Sequence, residues 1–445
     1  MAQSGGDVTA RPAVRSNAGE DRLSALPDDL LVLILLRLDN TAESARISVL
    51  SRRWRYIWPL LPELCFPVAP SGYQIREVLT VSEAPSLRRI LVSTKDDASG
   101  SVAAWLPLAA RRLSGELLYS NTVVAEHEEE EGLTIPLPCF GNATSLNLDL
   151  GFLRLALNID ASALKKLKLL NCFGQNQPVA DISAPQMVCL QWRDSYDPRS
   201  VKLGRMKQLR GLCAFFFWVY GQHGNIINRD FLRLLQQFQV IPVLSFCLGY
   251  PLYLMDEITS LPHITYLSMY VMNNGHSFGA SSFHMLRLCT SIRRLLLTLR
   301  PQREETIDGL YPGIDTFHFS DLHFDAIRCC SLSQAQPVCQ SGCICDQPSD
   351  WNTEELKLNY LKEVRITGLN GTDHEVAFLK RLLNWAAVLE KIRITLDYSI
   401  SKSKARELCE TLSNFCRPEI HMEFYMYQDE DRMSFCLLSL EDEGT

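Results

Sequence analysis

The stretch from Ser145 to Trp192 holds three copies of one signature: SLNLDL at 145–150, LKKLKLL at 164–170 and VCLQW at 188–192. In each, an apolar residue is followed two positions on by another: Leu146/Leu148, Leu167/Leu169 and Leu190/Trp192. That alternation sends successive side chains to opposite faces of a short strand. The signature returns at Leu212/Ala214, Phe246/Leu248, Leu267/Met269 and Leu295/Leu297, and weaker copies stand upstream at Ile90/Val92 and Leu117/Tyr119. From Leu146 on, successive first anchors lie 21, 23, 22, 34, 21 and 28 residues apart. A strand that buries one face cannot do so alone, so neighbours at this spacing must share a continuous core. The expectation is a curved stack with a parallel sheet along its inner face. The 34-residue gap then carries an insertion with a helix over Asn228–Phe238.

Gaps of this size match the roughly 20–29-residue period of leucine-rich repeats. The Asn or Cys that often follows the strand in regular repeats stands once, as Asn171-Cys172, so the repeats are irregular. The run AFFFWVY (Ala214–Tyr220) splits by alternation into two sets, one for the core and the other for core beneath a loop ahead of the alternative, a recognition patch. The acidic run Glu126 to Glu131 reads as a solvated loop.

Upstream, Leu23–Leu38 (LSALPDDLLVLILLRL) is nearly all aliphatic. Pro27 suits the first turn of a helix, and Asp28 and Asp29 favour its positive end. Asp39-Asn40-Thr41 breaks that helix, and Asn40 with Glu43 resembles a capping box for a second one running through Ile47, Val49 and Leu50. SRRWRYIW (Ser51–Trp58) makes a third, ended near Pro59 and Pro62. A helix apolar all round is normally buried, and a unit of about 40 residues needs help to stay folded. The unit therefore either docks on a partner or opens a larger core.

Downstream, LKEVRIT (Leu361–Thr367) alternates like a strand, and Gly368 and Gly371 mark a turn. Val376, Leu379, Leu383, Ala386 and Leu389 form one stripe on a helix over Glu375–Leu389. Ile392, Ile394 and Leu396 alternate in a second strand. A helix over Lys402–Leu412 and a strand over Glu419–Tyr427 follow.

The N-terminal unit resembles an F-box. Leu23-Ser-Ala-Leu-Pro-Asp-Asp-Leu-Leu, then Ile34-Leu35, then Val49-Leu50-Ser51-Arg52-Arg53-Trp54 match that motif in order and spacing. The C-terminal β-α-β-α-β order resembles the FBD region of plant F-box/leucine-rich-repeat proteins. Its most similar stretch is LKEVRITGLNGTDHEVAFLKRLLNWAAVLEKIRI, with Gly368, Glu375 and Phe378 at the matching spacing. Cys339–Leu358 is similar to the usual lead-in to that region. The resemblance implies that Leu26, Pro27, Leu30, Leu31, Ile34, Leu50 and Trp54 face a Skp-type adaptor of a cullin-based ubiquitin ligase. It implies no site in the FBD region.

The 445 residues carry a net charge of −7 and a mean hydropathy near zero (−0.02), ordinary for globular chains. A modestly acidic chain does not present the basic face that nucleic acid requires. No apolar run approaches the ~20 residues needed to span a bilayer, and residues 1–20 lack the apolar core of a secretory signal. Nuclear or cytoplasmic residence follows as the expectation, with most of the 15 cysteines free thiols.

Two patterns are candidates for chemistry. Gly275-His276-Ser277-Phe278-Gly279 matches the G-x-S-x-G nucleophile elbow, with Asp321 and His323, or Asp315 and His318, downstream. An elbow turns sharply straight off its strand, but Asn273-Asn274 intervene here, and no oxyanion loop precedes it. Cys339-x3-Cys343-x-Cys345, with Cys329-Cys330, His323 and Asp346 nearby, lacks the paired spacing of structural zinc sites. No metal, cofactor or catalytic residue is therefore assigned.

The sequence reading is an α/β chain: a three-helix F-box (21–66) after a disordered tail (1–20), an irregular leucine-rich-repeat solenoid (75–335), a Cys-rich connector (336–350), a βαβαβ FBD-like cap (351–430) and a tail (431–445). The function expected is the non-catalytic substrate receptor of an SCF-type cullin ubiquitin ligase, binding a Skp-type adaptor and an unknown target protein. The alternatives are an interaction scaffold without ubiquitination and a serine hydrolase using Ser277.

Overall fold

The computed structural model describes residues 26–67, 71–94, 99–121, 135–150, 155–173, 178–217, 224–249, 260–272, 277–299, 355–429 and 432–437. The expected tail at 1–20, the acidic run and the Cys-rich connector lie outside these residues.

The chain opens with α1 (Asp28–Leu36), α2 (Thr41–Arg46) and α3 (Arg52–Ile57), with 3-10 turns at Ile47–Val49 and Trp58–Leu60. Then come β1 (Glu63–Phe66), α4 (Gly72–Val81), β2 (Leu87–Thr94), α5 (Ser99–Arg112), β3 (Leu113–Asn121) and β4 (Ile135–Pro136). The middle holds β5 (Ser145–Asp149), β6 (Leu155–Asp160), β7 (Lys166–Leu170), β8 (Ala180–Ser183), β9 (Cys189–Arg193), β10 (Val201–Leu203) and β11 (Gly211–Phe217). Next are α6 (Gly224–Leu235), β12 (Val243–Gly249), β13 (Tyr266–Met272), α7 (Gly279–Leu288) and β14 (Arg294–Thr298). The last part is β15 (Glu363–Leu369), α8 (Asp373–Trp385), β16 (Lys391–Leu396), α9 (Lys402–Phe415), β17 (His421–Asp429) and β18 (Arg432–Leu437).

Fourteen strands form one sheet in the order β1-β2-β3-β5-β7-β9-β11-β12-β13-β14-β15-β16-β17-β18. Among the described residues every pair from β1 to β17 is parallel, and only β17–β18 is antiparallel. The molecule is thus mixed α/β with a mostly parallel sheet. One row runs in register across it: Leu146, Leu167, Leu190, Leu212, Leu244, Leu267, Leu295, Val364 and Ile392 pair in succession, so the expected anchors hold except on β12, where Leu244 takes the place expected for Phe246, which pairs with Met269 instead. Each is at most 2% exposed. Burying one such aliphatic side chain contributes ~1.5–3 kcal/mol, so the row is a spine of the core.

Repeat length sets the return path. Where anchors stand 21–23 residues apart, from β5 to β11, too little chain remains for a helix, and it returns extended as β6, β8 and β10. With β4 these make a second parallel sheet, in the order β10-β8-β6-β4, which the sequence reading did not foresee. Gaps of 27–34 residues accommodate α5, α6, α7, α8 and α9.

Several expected boundaries shift. The helix expected over Asn228–Phe238 starts four residues earlier, at Gly224. The helix expected to reach Leu389 stops at Trp385, because Ala386 leaves helical dihedrals (φ −94°, ψ 75°) while its N–H still bonds Leu382. Leu389 is buried all the same, beyond the helix. Residues 432–437, placed in the expected tail, instead form β18 against β17. Of the aromatic run, the backbone continues β11 to Phe217, and the side chains of 214–220 lie outside what is described.

Candidate docking face

The helical unit begins with a proline in the cap position rather than in the first turn. Pro27 (φ −59°, ψ 153°) precedes α1, and its carbonyl accepts from the N–H groups of Leu30 and Leu31 at 3.1 and 3.2 Å. Asp28 and Asp29 follow at the positive helix end. The helix ends at Leu36, and Asp39 turns the chain with φ 48°. Asn40 caps α2 as expected, but by accepting from Ala42 N–H at 2.9 Å and without the Glu43 half of a capping box. Thr41, buried, accepts from Cys65 N–H at 2.7 Å and so ties α2 to β1.

One arginine fixes α3 against α1. The Arg53 guanidinium donates to Asp28 through Nε at 2.8 Å and through Nη2 at 2.5 Å, and Nη2 also donates to the Leu26 carbonyl. Charge-assisted bonds to a carboxylate at a helix N-terminus hold a defined geometry. Arg53 lies within the N-terminal motif, but nothing in the motif's spacing assigns it this role.

The apolar side chains of this unit divide into two sets. Leu31 and Leu35 are 1% exposed and, with Ile57, Leu61 and Leu64, belong to the core that continues into the sheet. Leu30 (44%), Leu33 (56%) and Ile34 (39%) form an outward stripe at i, i+3, i+4 on the same helix. Leu50 (74%) and Val49 (84%) stand out from the 3-10 turn, and Tyr56 (72%) from α3. α3 packs against both α1 and that turn. Water-facing apolar side chains on α1, the 3-10 turn and α3 are a surface that an isolated chain gains nothing by keeping.

The seven residues named from the sequence sort accordingly. Pro27, Leu30, Ile34 and Leu50 are exposed, and Leu26 and Trp54 are partly buried against the core. Leu31 is corrected: it is a core residue, because i+4 spacing places it with Leu35 on the inward face. Leu33, Val49 and Tyr56 were missed. Leu33 was findable, since it lies three residues after Leu30 beside Ile34.

Ser277 lies just ahead of α7, with residues 273–276 between it and the end of β13. Its suggested partners at 315, 318, 321 and 323 lie outside the described residues, as do the cysteines at 339, 343 and 345. Among the described residues no group of His, Cys, Asp or Glu is arranged to hold a metal, and no helix is long and apolar enough to cross a membrane.

The C-terminal motif residues are structural. Gly368 and Gly371 take φ 78° and 72°, and a Cβ at Gly371 would stand 2.8 Å from Leu408. Glu375, 1% exposed, accepts from Asn370 N–H at 3.0 Å and Thr372 N–H at 2.9 Å through Oε2, while Thr372 Oγ1 accepts from Glu375 N–H. This capping box starts α8. Phe378 packs on Phe278 with ring centroids 5.2 Å apart. Asp194 is a similar device in the middle of the chain. Burial pushes its carboxyl up to about 7, against the N–H groups of Phe173, Cys172 and Ser195, which it accepts.

Fold and site define a class: a mostly parallel α/β chain whose helical N-terminal unit carries an apolar face with water over it. Comparison with known proteins narrows this. The chain is 28% identical over 176 residues to an F-box/FBD/LRR-repeat protein of Arabidopsis thaliana, covering 38% of this chain and 37% of the relative. It is 33% identical over 138 residues to an FBD-associated F-box protein of the same plant, covering 29% and 32%. It is 47% identical over 55 residues to an Arabidopsis F-box/LRR-repeat protein, covering 12% and 11%. Each match spans well under half of the relative's own length. No family model matches, and no solved structure matches. Over these stretches the chain is similar to plant F-box/FBD/LRR-repeat proteins.

Proposed function

We propose that this chain is the substrate-recognition subunit of an SCF-type cullin ubiquitin ligase. In this reading the unit at 26–66 is a three-helix F-box that binds a Skp-type adaptor. The parallel sheet is an irregular leucine-rich-repeat solenoid that binds a target protein, and the C-terminal elements form an FBD cap. The observation that carries the reading is the outward apolar set Leu30, Leu33, Ile34, Val49 and Leu50, beside a geometry clamped by Arg53. The protein needs no catalytic residue of its own. It holds a target near a charged conjugating enzyme, and so supplies effective concentration. It would act in the nucleus, the cytoplasm or both.

The test separates docking from core. Leu50 is 74% exposed, so its substitution leaves the fold intact, yet on adaptor binding most of its surface would be covered. Three quarters of the ~2 kcal/mol for burying a leucine is about 1.5 kcal/mol, or roughly tenfold in affinity. Leu50→Asp is expected to weaken binding of a plant Skp-type adaptor at least about tenfold, with an unchanged thermal transition. A wild-type chain that does not bind the adaptor, or a variant that binds equally, overturns the adaptor role. Adaptor binding without target ubiquitination by the reconstituted ligase would favour the scaffold.

A further inference from the structure

The strand face opposite the apolar spine carries an arginine that meets no anion among the described residues. Arg365 stands on β15 between Val364 and Ile366, which point to the core, so it points to the other face. It is 8% exposed, and among the described residues its buried Nε has no hydrogen-bond partner. A buried guanidinium without a counter-ion is costly, and native structures normally pair it.

The neighbouring cations are all served. Arg294, on β14, is paired with Glu363 at 2.9 Å. Lys391 and Arg393, on β16, share Glu423 at 2.6 and 2.9 Å. Arg393 is the register partner of Arg365, so two guanidinium groups stand side by side on adjacent strands. Like charges directly opposite one another repel. Glu423 answers for one of them and nothing described answers for the other.

Around Arg365 the same face is unusually rich in buried hydroxyls. Thr367 is two residues on along β15, with Thr298 and Thr395 beside it on β14 and β16. All three are at most 7% exposed. In the row of Arg365 itself stand Leu296, Ser268 and Ser245, in register. Ser245 and Ser268 are fully buried, and neither Oγ has a partner among the described residues. Three unpartnered polar groups in one row of a sheet are a site waiting for acceptors, and a guanidinium sets the sign of the charge it takes.

We propose that Arg365, with Ser268 and the flanking threonine hydroxyls, forms a binding site for a small polyanion bearing phosphate or carboxylate groups. Ser268 lies two strands from Arg365, roughly 10 Å at ordinary strand spacing. A ligand that satisfies both therefore carries more than one anionic or accepting group. The proposal does not depend on the adaptor role of the helical unit.

The test is calorimetric titration of the full chain with pyrophosphate and with citrate, in about 0.15 M salt, where purely surface attraction is screened. At least one of the two is expected to bind the wild type, and Arg365→Gln is expected to weaken that binding at least tenfold. Pyrophosphate alone binding would identify a phosphate site, citrate alone a carboxylate site. Without ligand, Arg365→Gln is expected to melt no lower than the wild type, since it removes an unpaired buried charge. Failure of both anions to bind the wild type up to 10 mM, roughly a hundredfold weaker than a 100 μM site, overturns the proposal. So does a variant that binds as well as the wild type, or one that unfolds, because Arg365 would then have a structural partner.

Discussion

Glu375 is the residue on which the start of α8 depends, and its loss has a calculable cost. Its carboxylate, 1% exposed, accepts two backbone N–H groups, from Asn370 at 3.0 Å and Thr372 at 2.9 Å, across the turn that Gly368 and Gly371 open. In Glu375→Ala both donors lose their acceptor. An unsatisfied donor costs ~1–3 kcal/mol. Both sites are only partly buried, so the low end applies, and the pair amounts to about 2–3 kcal/mol. Glu375→Gln keeps one acceptor oxygen but loses the charge, for about half that cost. Urea unfolding of the full chain gives the total, and hydrogen exchange at the Asn370 and Thr372 amides gives the local effect. Both amides should exchange faster in the alanine variant, while those of the β16 interior keep their protection. An alanine variant within ~0.5 kcal/mol of wild type, with unchanged exchange at both amides, would refute the reasoning.

Two further outcomes are expected. Burial raises the Glu423 carboxyl, but hydrogen bonds from Lys391 and Arg393, and their charges, outweigh it and hold the group at about 2, below its ordinary 4.5. A carboxyl lowered on folding contributes stability above its unfolded value and loses it as pH falls. The gap in urea stability between wild type and Glu423→Gln should therefore be full at pH 7 and close between pH 4.5 and about 2; a gap that stays constant over that range refutes it. Ser277, separated from its strand by residues 273–276, should not react with a fluorophosphonate probe. Stoichiometric labelling abolished by Ser277→Ala would restore the hydrolase reading.

The strands of this protein were legible because alternation is local. Leu146/Leu148 and Leu295/Leu297 each declare a strand from neighbours two residues apart, and the repeat spacing already implies that they pair in parallel. The cap at Asn40 is likewise written within a few residues, while the Thr372–Glu375 capping box, equally local, went unread. Which apolar residues face a partner is a different kind of fact. Leu30 and Leu31 are adjacent and chemically identical, and nothing local tells them apart. They separate only when Ile57, Leu61 and Leu64 arrive from later in the chain to cover one side of α1. The four-stranded second sheet was hidden for a similar reason, since short return segments such as Val201–Leu203 have too few residues to show a period. Arg365 marks the far end of this scale. Its alternation with Val364 and Ile366 was visible, but its lack of a counter-ion depends on strand order. Sheet pairing sets Leu296 on one side of it and Arg393 on the other, and gives Glu423 to Arg393 instead. Local pattern therefore determines elements and their inward faces, while the pairing of charges is decided only once distant strands lie side by side.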